Sequence, residues 1–263
     1  MQLRRVLVSV AVSILTIAIT LVTSNAADNR EVWEPVPPLV NTSMVNTDLA
    51  GAAPANAIIL FDGNDLDVWH TAEDEMAANW EISEGVATVR RGMGTIKTKS
   101  AFGDIQLHVE WRASAIIEGS SQSRGNSGIF LQSQYEVQIL DSWDNPTYIN
   151  GQAGAVYLQH PPLVNAAREP GQWQSYDILF KAPRFGGNGD LISPAFVTVL
   201  HNGVLVQNHA EIQGATYTPT PVYSAHCTPY GQSREQDCSD KMPITLQDHG
   251  QVVSFRNIWV REL

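Results

Sequence analysis

The chain has 263 residues, a hydrophobic content of 43% and a formal net charge of −11. This length suits one large β-domain or two small ones, and the apolar content is sufficient for a sizeable core. The acidic balance would repel a phosphate backbone, so we expect no nucleic-acid partner.

The first 26 residues have the pattern of a secretory signal peptide. Arg4 and Arg5 precede an apolar run from Val6 to Val22, and Ser24-Asn25-Ala26 follows as a small-x-small cleavage site. An uncleaved membrane anchor is the alternative, because the run is just long enough to span a bilayer. Cleavage is favoured, since no stop-transfer charge cluster follows. The sequence therefore predicts an exported protein, periplasmic or extracellular, with no transmembrane segment after cleavage.

Residues 27–56 are rich in Pro, Ala, Asn and Thr. Pro35, Pro37 and Pro38 exclude a regular helix there, so we interpret the segment as a linker or a strap on the domain surface. The folded domain is predicted to occupy residues 57–263.

From Ile58 onward, short β-branched and aromatic runs alternate with turn residues, as is typical of antiparallel β-structure. Residues 105–112 alternate strictly, which places His108, Glu110 and Arg112 on the face opposite the core. The same alternation in residues 135–139 places Glu136 and Gln138 opposite the core.

Turn signals complete the pattern of strands. Ser83-Glu84-Gly85 and Asn202-Gly203 each predict a hairpin, and residues 252–260 predict a terminal strand. Residues 73–79 are expected to form one helical turn.

Four tryptophans in strand-like contexts are expected in the core, namely Trp69, Trp80, Trp111 and Trp259. His201 is interpreted as a hairpin residue at the surface. Many short antiparallel strands predict an all-β jelly-roll sandwich of two sheets, of the concanavalin or lectin-like kind.

The segment richest in polar chemistry runs from Arg124 to Asp141. Arg124 and Asn126 lie in a Gly-bounded loop, Glu136 and Gln138 share a strand face, and Asp141 ends that strand. Guanidinium, amide and carboxylate groups suit sugar hydroxyls, and a carboxylate with a shifted pKa suits acid–base catalysis. The equally weighted alternative is that Glu110, Arg112, Glu136 and Gln138 form cross-strand polar pairs on a solvated sheet face.

The C-terminal part holds a second group of polar residues. Gln247, His249 and Arg256 are candidates here; His249 beside Gly250 could be a base, a metal ligand or a plain turn residue. Trp143 and Trp173 lie in loop contexts and could stack on sugars, although a core position is the alternative for each.

The cysteines are Cys227 and Cys238. In an exported protein an even pair predicts one disulfide. Half of a metal site is the alternative, which the absence of a second cysteine pair disfavours.

Taken in order, several motifs resemble one family. They are Leu60-Phe61-Asp62-Gly63, Glu110-Trp111-Arg112, Asn126-Ser127-Gly128-Ile129, the run from Tyr135 to Asp141, Leu246-Gln247-Asp248-His249-Gly250 and Phe255-Arg256-Asn257-Ile258. The sequence is similar to the 3-keto-disaccharide hydrolase domain family, formerly domain of unknown function 1080, over Ile58 to Leu263. The segment from Thr218 to Lys241 is not expected from this resemblance.

The resemblance implies a jelly roll that cleaves 3-keto-glycosides by removal of the C2 proton, elimination of the C1 oxygen and hydration. It implies a base, an acid and either cations or a divalent metal to stabilise the enolate.

We hypothesise residue roles on that basis. Glu136 or His249 is the base or a metal ligand, and Asp141 and Glu110 orient the site or bind the metal. Arg124, Arg112 and Arg256 are candidates for enolate stabilisation; Asn126, Gln138 and Gln247 are candidates for hydroxyl binding. Three functions remain open: this enzyme, a non-catalytic carbohydrate-binding module, and a cell-envelope interaction domain.

Overall fold

The structure, a computed structural model, describes residues 32–39, 53–216, 218, 220–224 and 241–263. Its fifteen strands run in chain order as β1 Ile58–Phe61, β2 Trp69–Thr71, β3 Glu81–Ser83, β4 Val86–Val89, β5 Ile96–Thr98, β6 Ile105–Ala113, β7 Ser127–Leu131, β8 Tyr135–Ile139, β9 Gln174–Lys181, β10 Arg184–Phe185, β11 Leu191–Ser193, β12 Phe196–His201, β13 Val204–Glu211, β14 Thr245–Leu246 and β15 Val253–Glu262. Two 3-10 turns, Ser121–Ser123 and Ile149–Gly151, are the helical segments of this described part. No helix within these ranges has the length and apolar character needed to cross a bilayer.

Two antiparallel sheets make up the sandwich. The larger has eight strands in the order β13-β12-β9-β6-β15-β4-β3, with β1 also paired to β15. The smaller has five strands in the order β2-β5-β14-β7-β8, and β10 and β11 form a separate pair. The predicted all-β jelly-roll sandwich is confirmed.

The core lies between the two sheets because each strand turns its apolar alternate residues inward. Leu107, Val109 and Trp111 of β6 are buried there, and so are Val137 and Ile139 of β8. Both predicted alternations therefore have the correct register. The polar residues between these positions are left on the two outer faces of the sandwich.

Both predicted hairpins form. Glu84 and Gly85 join β3 to β4 with φ of 52° and 75°, and Asn202 and Gly203 join β12 to β13 with φ of 52° and 78°. Positive φ at both central residues is the turn geometry that matches the right-handed twist of the flanking strands.

Three expectations about individual residues were wrong. Residues 73–79 form turns and an isolated bridge between His70 and Ala77 instead of a helical turn. Trp259 is buried, but it lies outside the core cluster, stacked on His108. Its strand contains a bulge between Arg256 and Trp259, which shifts the alternation by one residue.

His201 is the third wrong expectation. Its ring is fully buried against Trp111 and Tyr176 instead of lying at the surface. Burial and the neighbouring Arg168 charge lower its pKa to about 3, so the imidazole is neutral.

Within the proline-rich segment, residues 32–39 lie against the domain. The Ile149 amide donates to the Val32 carbonyl, and the Asn165 amide donates to the Pro38 carbonyl, each at 2.9 Å. The predicted signal peptide and the Cys227–Cys238 disulfide lie outside the described residues.

Candidate active site

A row of side chains crosses the outer face of the five-stranded sheet. Strand register aligns His70, Lys97, Thr245, Phe130 and Glu136, one from each strand. Each alternates with core residues of its strand, so all five face away from the core. All five are at most 8% exposed. We refer to these residues as the Glu136 row.

Glu136 has a buried carboxyl group that has no charged partner among the described residues. The residue is 1% exposed, and burial raises its pKa well above the usual value of 4.5. Burial therefore favours the neutral form of this carboxyl over the charged form. Its Oε2 atom has no hydrogen-bond partner among the described residues. Since buried polar atoms are almost always paired, this oxygen is a candidate contact for a ligand.

Gln138 and Gly128 hold the other carboxyl oxygen in place. With its amide nitrogen turned toward Glu136, Gln138 lies 2.9 Å from Oε1 and 3.1 Å from the Ser127 carbonyl. A Cβ atom on Gly128 would lie only 2.3 Å from Oε1. Gly128 thus leaves the space that the carboxyl occupies. The backbone amide of Gln247 donates to the Gly128 carbonyl at 3.1 Å, which brings Gln247 beside this group.

Asn126 contributes to the site through loop structure. Its Nδ2 donates to the Gln122 carbonyl at 2.8 Å, and its backbone amide donates to Gln251 Oε1 at 2.7 Å. The Gln122 side chain also contacts the amide of Gln138. The loop containing Gln122 and Asn126 therefore separates the Glu136 row from the end of the sandwich.

Beyond this loop lies a cleft of about 690 Å³. We call it the end cleft; Arg124, Asp141 and Gly250 are among its lining residues. Arg124 Nε donates to Asp141 Oδ2 at 2.7 Å, and its terminal nitrogens donate to the carbonyls of Trp143 and Asp144. Burial raises the pKa of Asp141, and the Arg124 charge opposes that rise. The geometry gives this pair the role of fixing the wall of the cleft.

His249 stands at the rim of the end cleft. The residue is exposed, while the next residue, Gly250, lines the cleft. Asp248 fixes the loop by accepting from the backbone amides of Gly92 and Gly94 at 2.9 and 3.0 Å, and of Gly250 at 2.7 Å. The imidazole is thus held on a rigid loop and accessible to solvent.

The remaining predicted residues lie on the outer face of the eight-stranded sheet. Glu110 accepts from Arg256 Nε at 2.6 Å and from Asn257 Nδ2 at 2.8 Å. Burial would raise the pKa of Glu110, but its contacts with His108, Asn257 and Arg256 outweigh that effect and lower it. The carboxylate is therefore charged and fully engaged, as the cross-strand pairing alternative predicts.

Aromatic rings extend this network. The guanidinium carbons of Arg112 and Arg256 lie 4.7 and 4.2 Å from the ring centre of Trp173. Trp173 is therefore occupied by cations instead of presenting a stacking platform. Trp143 is half-buried and supplies its carbonyl to Arg124.

The predicted site thus divides into three places. Glu136, Gln138 and Gln247 lie together. Arg124 and Asp141 line the end cleft, and His249 directly precedes a residue that lines it. Glu110, Arg112 and Arg256 lie on the far side of the sandwich. Because Glu110 and Glu136 project from opposite outer faces, the predicted metal pair cannot form. Within the described ranges, no three His, Cys, Asp or Glu side chains are close enough to hold a metal ion.

Sequence reasoning missed Lys97 and His70. Lys97 Nζ lies 3.1 Å from Glu75 Oε1, and burial followed by the Lys97 charge lowers the pKa of His70. The only signal in the sequence was the Ile96-Lys97-Thr98 alternation, which is too short to identify a strand by itself.

Comparison with known proteins places this geometry in context. The model of the 3-keto-alpha-glucoside-1,2-lyase-like domain family matches residues 56–261. A putative glycosyl hydrolase from Parabacteroides distasonis is 47% identical, with a TM-score of 0.74 over 89% of this chain and 94% of its own. A second protein of that description and organism is 18% identical, with a TM-score of 0.52 over 79% and 94%, and it supports the fold alone. No curated protein matches the chain.

The fold is a jelly roll. The 47% identical relative, described as a putative glycosyl hydrolase, supports a carbohydrate-active class. The chain belongs to the 3-keto-alpha-glucoside-1,2-lyase-like domain family, as its sequence predicted.

Proposed function

We propose that this protein is an enzyme that cleaves 3-keto-glycosides by elimination and hydration, with the Glu136 row as its site. The observation that carries the proposal is the buried carboxyl of Glu136, whose Oε2 has no partner among the described residues and whose pKa is raised by burial. A structural carboxyl in that environment would be expected to have found a partner, as Glu110 has.

The reaction needs an acid and a base. A ketone at C3 acidifies the proton on C2; a base removes that proton, a C1=C2 double bond forms, and the C1–O bond breaks. The departing oxygen takes a proton from an acid and leaves as an alcohol. Water then adds across the double bond to give the 3-keto sugar.

Glu136 suits the role of the acid. A carboxylic acid kept neutral at pH 7 by an apolar site can donate a hydrogen bond or a proton, whereas a carboxylate cannot. Gln138 fixes Oε1 and leaves Oε2 for the departing oxygen.

His249 suits the role of the base. It lies two residues beyond Gln247 and directly before Gly250, which lines the end cleft, and histidine is the side chain that most often serves as a general base. The Lys97 ammonium on the same row would lower the energy of the enolate. Gln138 and Gln247 would bind hydroxyls.

Export is part of the proposal. The predicted signal peptide at residues 1–26 would deliver the enzyme to the periplasm or the medium, where it would act on glycosides oxidised at C3.

The test is incubation of the purified mature protein with 3-keto-trehalose and phenyl 3-keto-glucoside in D2O, with and without EDTA. We expect release of the aglycone, deuterium at C2 of the sugar product, and loss of release in H249A. The exposed His209, which stacks on Phe196, supplies the control variant H209A.

Two results would contradict the proposal. Release without deuterium at C2 would indicate direct hydrolysis instead of elimination. No release, together with binding to unoxidised glycans, would favour a carbohydrate-binding module.

A further inference from the structure

The end cleft has a composition that the proposed reaction does not explain. Ile116 and Ile117 line it and are 73% and 57% exposed, and Arg90 and Arg91 line it as well. An exposed apolar surface facing guanidinium groups is an unusual combination for a solvated loop region.

The two arginines differ in their partners. Arg90 Nε donates to Glu81 Oε2 at 2.9 Å, so its charge is matched. Arg91 is exposed and forms no ion pair within the part of the chain that the structure describes. The other basic lining residue, Arg124, is held by Asp141. Arg91 is therefore the cation of the cleft that is available to a ligand, in a protein of net charge −11.

Arg91 also lies beside the candidate base. A Cβ atom on Gly250 would be 3.4 Å from Arg91 Nε, so the guanidinium passes directly over the residue that follows His249. A group bound by Arg91 would therefore lie close to the loop that carries the candidate base.

We propose that the end cleft is the aglycone subsite, and that it selects aglycones with an apolar body and an acidic group, such as aromatic carboxylates. Ile116 and Ile117 would contact the ring, and Arg91 would pair with the carboxylate. Glu118, the exposed acidic lining residue, would disfavour cationic aglycones. This inference rests on the proposed function for its catalytic meaning, whereas binding to the cleft can be tested separately.

The kinetic test compares the 3-keto-glucosides of phenol and 4-hydroxybenzoate. We expect a lower KM for the acidic substrate. R91Q should raise that KM by about fivefold, the size expected for a solvent-accessible ion pair, and leave the KM of the neutral substrate unchanged. R184Q is the control and should alter neither value, because Arg184 lies outside the end cleft and pairs with Asp104. Salt should weaken the preference.

The contributions of the two isoleucines and of Arg91 to substrate binding can be measured separately. The double variant I116S/I117S should raise the KM of both substrates by a similar factor, since it removes contacts with the ring alone. Equal effects of R91Q on the two substrates, with release intact, would overturn the inference and leave the proposed function standing.

A binding measurement keeps the inference testable if no catalysis is found. Calorimetry with unoxidised phenyl glucoside and its 4-carboxy derivative should give tighter binding of the acidic compound, lost in R91Q. Equal affinities for the two compounds would also overturn it.

Discussion

The two outer faces of the sandwich each carry a buried glutamate, and they treat it in opposite ways. Glu110 on the eight-stranded sheet is held by Arg256 and Asn257, and its pKa is lowered. Glu136 on the five-stranded sheet is buried and has no cation beside it among the described residues, and its pKa is raised. The strand pattern around both residues is the same. The difference indicates that the partners of a buried carboxyl, more than its position on a strand, determine whether the group has a structural or a catalytic role.

The largest expected effect comes from E136Q. Because Gln cannot donate the carboxyl proton, kcat/KM for a 3-keto-glucoside should fall about 10²–10⁴-fold. The stability should change by less than about 1.5 kcal/mol, since the volume is conserved and the carboxyl is already neutral. Aglycone release and urea unfolding measure the two quantities. A large loss of stability with unchanged turnover would reverse the roles assigned to the two glutamates.

E110Q should give the opposite result. Replacing this carboxylate leaves Arg256 without its counter-charge and His108 with Asp177 alone, so unfolding should become easier by about 2–3 kcal/mol. Turnover per folded molecule should stay at the wild-type level. The same two assays apply, and a drop in turnover comparable with that of E136Q would contradict the comparison.

G128A sharpens the account of the Glu136 site. The added methyl would lie 2.3 Å from Glu136 Oε1 and displace the carboxyl, which should cost about 1–3 kcal/mol and lower turnover. G187A is the control, because a Cβ at Gly187 meets nothing within 4 Å. Equal turnover in the two variants would mean that the position of the carboxyl does not matter.

The smallest effect concerns pH. Burial would lower the pKa of His108, but Asp177 at 2.7 Å and Glu110 at 3.7 Å outweigh it and raise the pKa to about 9. A raised pKa means that the protonated form stabilises the fold: the contribution is complete below pH 6.5 and disappears as the pH rises through about 9. The urea midpoint should therefore fall between pH 7 and 10, and fall less in H108Q. Parallel pH curves for the two proteins would exclude this role.

The sequence predicted the strands at residues 105–112 and 135–139 and the faces of Glu110 and Glu136 correctly, because an alternation of period two reports burial directly. It could not predict the separation of these glutamates onto opposite sides of the sandwich, which depends on how distant strands pair. The position of Trp259 was predicted wrongly because Asn257, at a φ of 46°, lies in a bulge that no local sequence pattern indicates. Lys97 was missed because its strand has only three residues.

The most direct test of the central claim is the protonation state of Glu136. In the protein labelled with ¹³C at the glutamate carboxyl, wild type minus E136Q should give one resonance that remains in the protonated position at pH 7. Turnover should require the same side chain. A Glu136 resonance that titrates near the ordinary value of 4.5 would contradict the account, because a carboxylate at neutral pH could not serve as the acid of the elimination.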